Sequence, residues 1–353
     1  MAPLPDLSAS PTLDAIYEHY ESKEGDPRGY LGGSIIGESC ERRLWYGFRW
    51  ASREAFPGRI LRLFETGHRE EDRIIENLRA VGVTVYDRDE NGQQFRYSEH
   101  GGHFSGGIDG VVVGLLESPK TPHLLEAKTH NAKSFADLKK KGVRASKPKH
   151  FDQMQTYMRK AKLNRAAYIA VCKDTDELYL ERIEYDAKHS KALSKKALRI
   201  IEAPEPLSRI NDDPTWFECK FCPAHSTCHG SVVPPVSCRT CAHSTPITEG
   251  DGARWMCERY ECEIPEDKQR KGCENHLHIP KLVPFAEPVE AGDDWILFQM
   301  KDGRRFVASG TTSFPAKDVP HYSSEELTKV DPAAIGDPAI EAARTILEGE
   351  VVG

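Results

Sequence analysis

Two short segments in the first half of the chain carry residues whose types and spacing suit metal chemistry. Gly106-Gly-Ile-Asp-Gly-Val-Val-Val113 reads as a β-strand holding Asp109. Seventeen residues later, Leu124-Leu-Glu-Ala-Lys128 reads as a second strand holding Glu126 and Lys128. Side chains alternate along a strand, so Glu126 and Lys128 face the same side. Two carboxylates offer hard oxygen ligands for Mg²⁺ or Mn²⁺. Such an ion lowers the pKa of a bound water and stabilises charge on a phosphate. A neighbouring ammonium orients that water or neutralises the developing negative charge. Charged residues set among Leu124, Leu125 and Ala127 are costly to bury unless paired or metal-bound. The chemistry implied is metal-assisted cleavage of a phosphodiester.

The elements that must position these groups follow from hydrophobic periodicity. A helix is expected over residues 11–24, a second from a Ser34 cap to residue 48, and a long one over 58–80. The period then shortens to that of strands, at 83–86, 94–97, 106–116 and 123–128. Ser134 is expected to cap a basic helix, and a further helix enters through Pro148 and runs to 163. Strands at 166–173 and 177–185 flank a turn at Asp174–Asp176, and Asp186 caps a helix reaching 202. This order predicts an α/β fold with a central mixed sheet flanked by helices.

On these residues the chain resembles the PD-(D/E)XK nuclease superfamily, and within it the RecB-like exonucleases. Asp109 stands in the first-acid position, with Ile108 where the family has proline, and Glu126-Ala127-Lys128 matches the second-acid and lysine motif. Gln153-Met-Gln-Thr-Tyr157 matches the Q-x-x-x-Y helix motif, and Gly67-His68 with Glu71 resembles the motif whose histidine binds metal in the iron–sulfur members. The resemblance implies a restriction-endonuclease-like core. It further implies that His68, Asp109, Glu126 and the Ala127 carbonyl bind metal, that Lys128 is catalytic, and that Gln153 and Tyr157 steady the lysine or the DNA.

The cysteines form two groups, with eight of the ten between Cys219 and Cys273. In a chain with no recognisable export signal, that clustering points to metal rather than disulfides. Cys219-Lys-Phe-Cys-Pro-Ala-His-Ser-Thr-Cys228 supplies three thiolates, and Cys40 is the candidate fourth. This arrangement resembles the split cluster of CRISPR-adaptation exonucleases, which implies a 4Fe-4S cluster stapling the N-terminal helix to the end of the domain. Spacing alone equally fits a structural zinc, on the same four cysteines or with His225 or His229 in place of Cys40. In the second group, Cys238, Cys241, Cys257 and Cys273 read as a small zinc site, with Cys262 or His276 as substitutes. Cys172, in an apolar strand, reads as core. Cysteine tails of this kind resemble those on phage-encoded nucleases.

Bulk properties bound the rest. The 353 residues, 39 % hydrophobic and 29 % charged, suit a globular chain with a nuclease-like domain at 1–230 and a C-terminal zinc-ribbon-like module with an acidic tail at 231–353. No stretch approaches the length of a membrane span, and a cytoplasmic setting in a bacterial or phage-infected cell is expected. The formal charge of −7 argues against coating nucleic acid by bulk attraction. Charge is uneven, however. Residues 131–165 hold eight lysines and three arginines against two aspartates, a net +9, whereas residues 281–353 carry a net −6. The basic run 139–150 is placed to contact phosphates beside the scissile bond.

The expectation is a metal-dependent exonuclease acting on single-stranded or frayed DNA ends in recombination, replication or repair. No helicase phosphate loop occurs, so coupled unwinding needs a helicase or recombination partner. The alternatives are a non-catalytic, metal-stapled DNA-binding scaffold and a CRISPR-adaptation nuclease.

Overall fold

The computed structural model describes residues 10–23, 25–310 and 319–347. The first residues, read above as lacking an export signal, and the last of the acidic tail lie outside them, as does position 24, the expected end of the first helix. The chain runs through α1 (Pro11–Glu21), the short strand β1 (Leu31–Gly32), α2 (Glu41–Phe48) and the long α3 (Gly58–Ala80). Strands β2 (Thr84–Tyr86), β3 (Arg96–Glu99), β4 (Phe104–Gly107), β5 (Gly110–Val113) and β6 (His123–His130) follow. Helices α4 (Ala132–Ser146) and α5 (Pro148–Ala161) lead to β7 (Arg165–Cys172), β8 (Leu178–Glu184) and α6 (Ala187–Glu202).

The central sheet has the order β2-β5-β6-β7-β8. Only β6 and β7 are parallel; the other neighbours are antiparallel, so the sheet is mixed and the fold α/β. Parallel neighbours require a crossover, and α4 and α5 provide it. Alternation along β6 and β7 then divides the core. Leu125, Ala127, Ala167, Ile169 and Val171 pack with Ile74 and Ile75 of α3 on one face. Leu124, Ala166, Tyr168 and Ala170 pack with Leu138 of α4 and Met154 and Tyr157 of α5 on the other. Each fully buried aliphatic side chain contributes about 1.5–3 kcal/mol.

Three local expectations are corrected. Residues 106–116 are not one strand. β4 pairs with β1 and β3 in a separate three-stranded sheet and β5 joins the main one, so Asp109 sits in the break where the chain changes sheets. Ser34 lies in a short 3₁₀ turn, and α2 is capped instead by Cys40, whose sulfur accepts the Arg43 N–H (3.4 Å). Helix α4 is capped by Asn131, whose side-chain oxygen accepts from Ser134 N–H (2.8 Å). Asparagine is among the best N-caps, so the start moves three residues upstream.

The C-terminal portion contains α7 (Phe217–Lys220), α8 (His225–Cys228), β9 (Ser244–Pro246), β10 (Trp255–Cys257), β11 (Cys262–Glu263) and α9 (Glu266–Gln269). It ends with β12 (Ala286–Ala291), β13 (Trp295–Met300), β14 (Arg305–Ser309), β15 (His321–Tyr322), α10 (Ser324–Leu327) and α11 (Pro338–Leu347). The hydrophobic core does not part at residue 230. Trp255, Ile264, Ile279 and Leu282 pack in one cluster with Leu44, Trp45 and Phe48. The β12–β15 sheet has its own core around Phe298, Phe306 and Tyr322. The Asp302-Gly303 hairpin turn has Gly303 at φ +90°, and Ser323 and Glu326 form a reciprocal capping box at α10.

Candidate active site

Strand β6 presents Glu126 and Lys128 on the face covered by α5. The β5–β6 register pairs Gly110 with Leu125, which brings Asp109 beside Glu126. The Ala127 N–H donates to Asp109 Oδ2 (2.9 Å) and fixes that carboxylate against the strand. Glu126 is wholly buried (0 % exposed) and ion-paired with Lys128 through Oε1. Its Oε2 has no hydrogen-bond partner among the described residues.

The electrostatics show how tightly these groups are gathered. Burial is the largest effect on Glu126 and raises its pKa; Lys128 pulls it down, Asp109 and Glu71 push it up, and it stands at about 8. Burial alone works against the Lys128 ammonium, yet Glu126, Asp109 and Glu71 hold its pKa above the ordinary lysine value. Glu71, on α3, is pushed up to about 7 by burial and then by Asp109, with Lys128 opposing. The carboxylate that α3 delivers to this cluster is thus Glu71, which the motif comparison treated only as a companion of His68. His68 lies one turn earlier on the same helix face. It is exposed and makes no hydrogen bond or ion pair with the described residues.

Helix α5 closes the cluster from above. Gln153 and Tyr157, four residues apart, share a face and are both buried. Burial and then the Glu126 and Asp109 carboxylates raise the Tyr157 pKa, while Arg28 and a hydrogen bond with Gln153 oppose the rise. Tyr157 packs against Tyr97 at 5.0 Å between ring centroids. Two glycines make room for this pair. A Cβ on Gly33 would lie 1.9 Å from Tyr97 Oη, and one on Gly106 would lie 2.8 Å from Tyr157 Oη.

Sequence reasoning missed a second polar layer. Tyr168, the cross-strand partner of Glu126, hydrogen-bonds through its hydroxyl to His130 Nε2 (2.8 Å) and His150 Nδ1 (2.9 Å). Burial and then Lys147 and Lys128 lower His130 to about 4. Burial, Lys128 and His130 lower His150 to about 3. Both rings are neutral near pH 7 and add no positive charge beside Lys128. His130 follows Glu126 and Lys128 at the same strand spacing, which was the signal available.

The basic run is partly neutralised by Asp137, just before it on α4, and by acids from elsewhere in the fold. Lys149 pairs with Glu38 (2.6 Å), Lys141 with Asp137 (2.7 Å), Arg144 with Asp186 (3.9 Å) and Lys139 with Glu177. The surplus counted along the chain is therefore smaller in space.

Among the described residues no three histidine, cysteine or carboxylate side chains sit close enough together to hold a metal ion as they stand. The donor chemistry fits one nonetheless at three places. Glu71, Asp109 and Glu126 form a set of mutually repelling carboxylates, one with a buried unpartnered oxygen, and a divalent cation relieves both conditions. Cys40, Cys219, Cys222 and Cys228 all line one cavity of about 270 Å³, rimmed by Arg42, Arg43 and Arg209. Burial and then Cys228 and Cys40 raise the Cys219 thiol. In the second group, burial and then Cys241, Cys273 and Cys257 push Cys238 up to about 12. Cys262 lies across from Cys257 and is exposed, while His276 is buried and bonded to the Ser237 carbonyl (3.0 Å). Cys172 is buried in the sheet core.

No protein-family model matches the chain, and no curated protein matches it significantly. Its fold is similar to that of LHK-Exo in complex with dAMP (16 % identity, TM-score 0.37, covering 53 % of this chain and 90 % of that one). It is likewise similar to the alkaline exonuclease LHK-Exo from Laribacter hongkongensis (17 % identity, TM-score 0.36, covering 52 % and 90 %). A third likeness is to SSO0001 (12 % identity, TM-score 0.36, covering 62 % and 96 %). Among the described residues no helix is long and apolar enough to cross a membrane.

Proposed function

We propose that this chain is a metal-dependent DNA exonuclease of the RecB-like kind, hydrolysing phosphodiesters at single-stranded or frayed ends. The observation that carries this reading is the convergence of Glu71, Asp109, Glu126 and Lys128 around a carboxylate oxygen that has no hydrogen-bond partner among the described residues. Mg²⁺ or Mn²⁺ held by these carboxylates, with the Ala127 carbonyl and His68 as further candidate ligands, would supply a nucleophilic water and Lewis-acid stabilisation of the phosphate. Lys128 holds its proton throughout the physiological range and stabilises negative charge on the phosphate oxygens. Tyr157 and Gln153 orient the carboxylate–lysine pair from α5. Neutral His130 and His150 fix Tyr168 beside Glu126 without drawing the carboxylate away from Lys128.

The same reading assigns Cys40, Cys219, Cys222 and Cys228 to a 4Fe-4S cluster that staples α2 to α7 and α8. It assigns Cys238, Cys241, Cys257 and Cys273 to zinc. DNA is the substrate, a helicase or recombination protein the expected partner, and the cytoplasm of a bacterial or phage-infected cell the expected setting. The test is release of nucleotides from end-labelled single-stranded DNA with Mn²⁺. Wild-type protein should degrade it, and Lys128→Ala should be slower by at least about 100-fold. Equal rates for the two proteins would overturn the assignment.

A further inference from the structure

Arg49 follows α2 directly, and Arg239 lies inside the Cys238–Cys241 knuckle. Each is only 2 % exposed. Neither makes an ion pair among the described residues. Arg49 donates to the carbonyls of Ser244 (2.9 Å), Arg239 (3.4 Å) and Ala203 (3.4 Å), and its Nε is buried with no partner among the described residues. Arg239 donates to the carbonyls of Phe48 (3.2 Å) and Gly29 (2.9 Å) and to Gln269 Oε1 (3.1 Å). Every acceptor is neutral. Both guanidinium carbons stand 4.8 Å from the centre of the Trp255 ring system, so two like charges share one indole. Buried charges of this kind are costly unless an opposite charge accompanies them.

The thiols are placed to provide it. Cys238 and Cys241 flank Arg239 along the chain, and Cys241 is the group whose negative charge acts on Arg49. Cys257 stands opposite Ser244, whose carbonyl Arg49 binds. Gly272 packs against Val236 and Ser237, which sets Cys273 beside Cys238. The carboxylate that acts on Arg239 is Glu266, which is exposed, and Arg270 opposes it. Four thiolates around one divalent cation carry a net charge of minus two, equal and opposite to that of two guanidiniums.

We propose that Arg49 and Arg239 are the counter-ions of a four-thiolate metal centre at Cys238, Cys241, Cys257 and Cys273. Loading one divalent, thiolate-preferring cation then clamps the cysteine segment onto α2 and the body of the molecule. The inference rests on the zinc reading of these cysteines given above and adds its coupling to the rest of the fold. Trp255 and Arg239 are the physical link, because both sit against Phe48 at the end of α2. A metal-free centre of neutral thiols leaves both cations buried without compensation, so metal loss loosens the segment's docking.

The test uses the full-length protein, with zinc released by a mercurial and counted with a chromophoric chelator, and affinity set by chelator competition. Arg49→Met and Arg239→Met keep an unbranched chain and remove the charge. Each is expected to weaken zinc binding by about tenfold or more, and Arg49→Lys should weaken it less. The sign of the stability change separates this from simple packing loss. The Met variants should melt lower than wild type when zinc-loaded, yet as high or higher when zinc-free. Zinc removal from wild type should also red-shift tryptophan emission as Trp255 loosens. If Cys257→Ser loses one zinc per chain but the Met variants bind zinc like wild type, the counter-ion inference falls and the zinc site stands. If wild type and Cys257→Ser hold the same zinc, the four-thiolate centre falls and the inference with it.

Discussion

A divalent cation can be held by Glu126 only after its carboxyl loses a proton, and the fold makes that loss difficult. The pKa near 8 has burial as its main cause, opposed by Lys128 and reinforced by Asp109 and Glu71. Two pH units below that value, about 99 % of the groups are protonated, so apparent Mn²⁺ affinity should be about 100-fold weaker near pH 6 than at the alkaline plateau. Glu71, pushed up to about 7, steepens the dependence in the same direction. The sign for stability is opposite in the metal-free protein. A carboxyl whose folded pKa is raised stabilises fully below its ordinary value of 4.5, and that contribution is lost as pH rises through about 8. The metal-free protein should therefore melt lower at pH 8.5 than at pH 5.5, and Mn²⁺ should restore more at the higher pH. Isothermal titration with Mn²⁺ across this range, with proton release read from buffers of different ionisation enthalpy, measures it. Glu126→Gln mimics the neutral acid and should abolish both the binding and most of the slope. Wild-type Mn²⁺ affinity independent of pH between 6 and 8.5 would refute the reasoning.

Other outcomes follow from the same geometry. Gly33→Ala places a methyl 1.9 Å from Tyr97 Oη and 2.7 Å from Tyr157 Cε1. It should cost about 1–3 kcal/mol in urea denaturation, and a cost below about 0.5 kcal/mol would show that the tyrosines are not tightly held. Cys40→Ser removes a cavity-lining thiol and the sulfur cap of α2. Anaerobically purified protein should lose most of its iron and visible absorbance; unchanged iron content would take Cys40 out of the ligand set. Tyr157→Phe keeps the ring packing and removes only the hydroxyl that faces Glu126 and Asp109. Nucleotide release should slow while the melting temperature holds, and an unchanged rate would restrict Tyr157 to packing.

The mixed sheet was legible in the sequence because its strands are short apolar runs bounded by turn residues, and because amphipathic helical stretches separate them. Asp186 and Pro148 are local signals read by local rules. The pairing of Glu126 with Lys128 was legible for the same reason, since strand periodicity alone puts them on one side. What was not legible depends on distant partners. Asp109 reads as strand because valines follow it, but the chain changes sheets there, which only the pairing of β4 with β1 and β3 reveals. Glu71 and His68 share a helix face, and nothing local says which of them looks into the cluster. Lys149, Lys139 and Arg144 of the basic run find acids at Glu38, Glu177 and Asp186, which no window of sequence contains. Nothing local marks Arg49 and Arg239 as buried, because Trp45, Phe48 and Trp255 close over them only in the fold.

The most direct measurement is anomalous diffraction from crystals of the protein soaked in Mn²⁺ above pH 8. The account predicts a manganese peak among the carboxylates of Glu71, Asp109 and Glu126 with Lys128 alongside, and its disappearance in Glu126→Gln. Manganese bound elsewhere, with Glu126 still dry and paired only to Lys128, would contradict it.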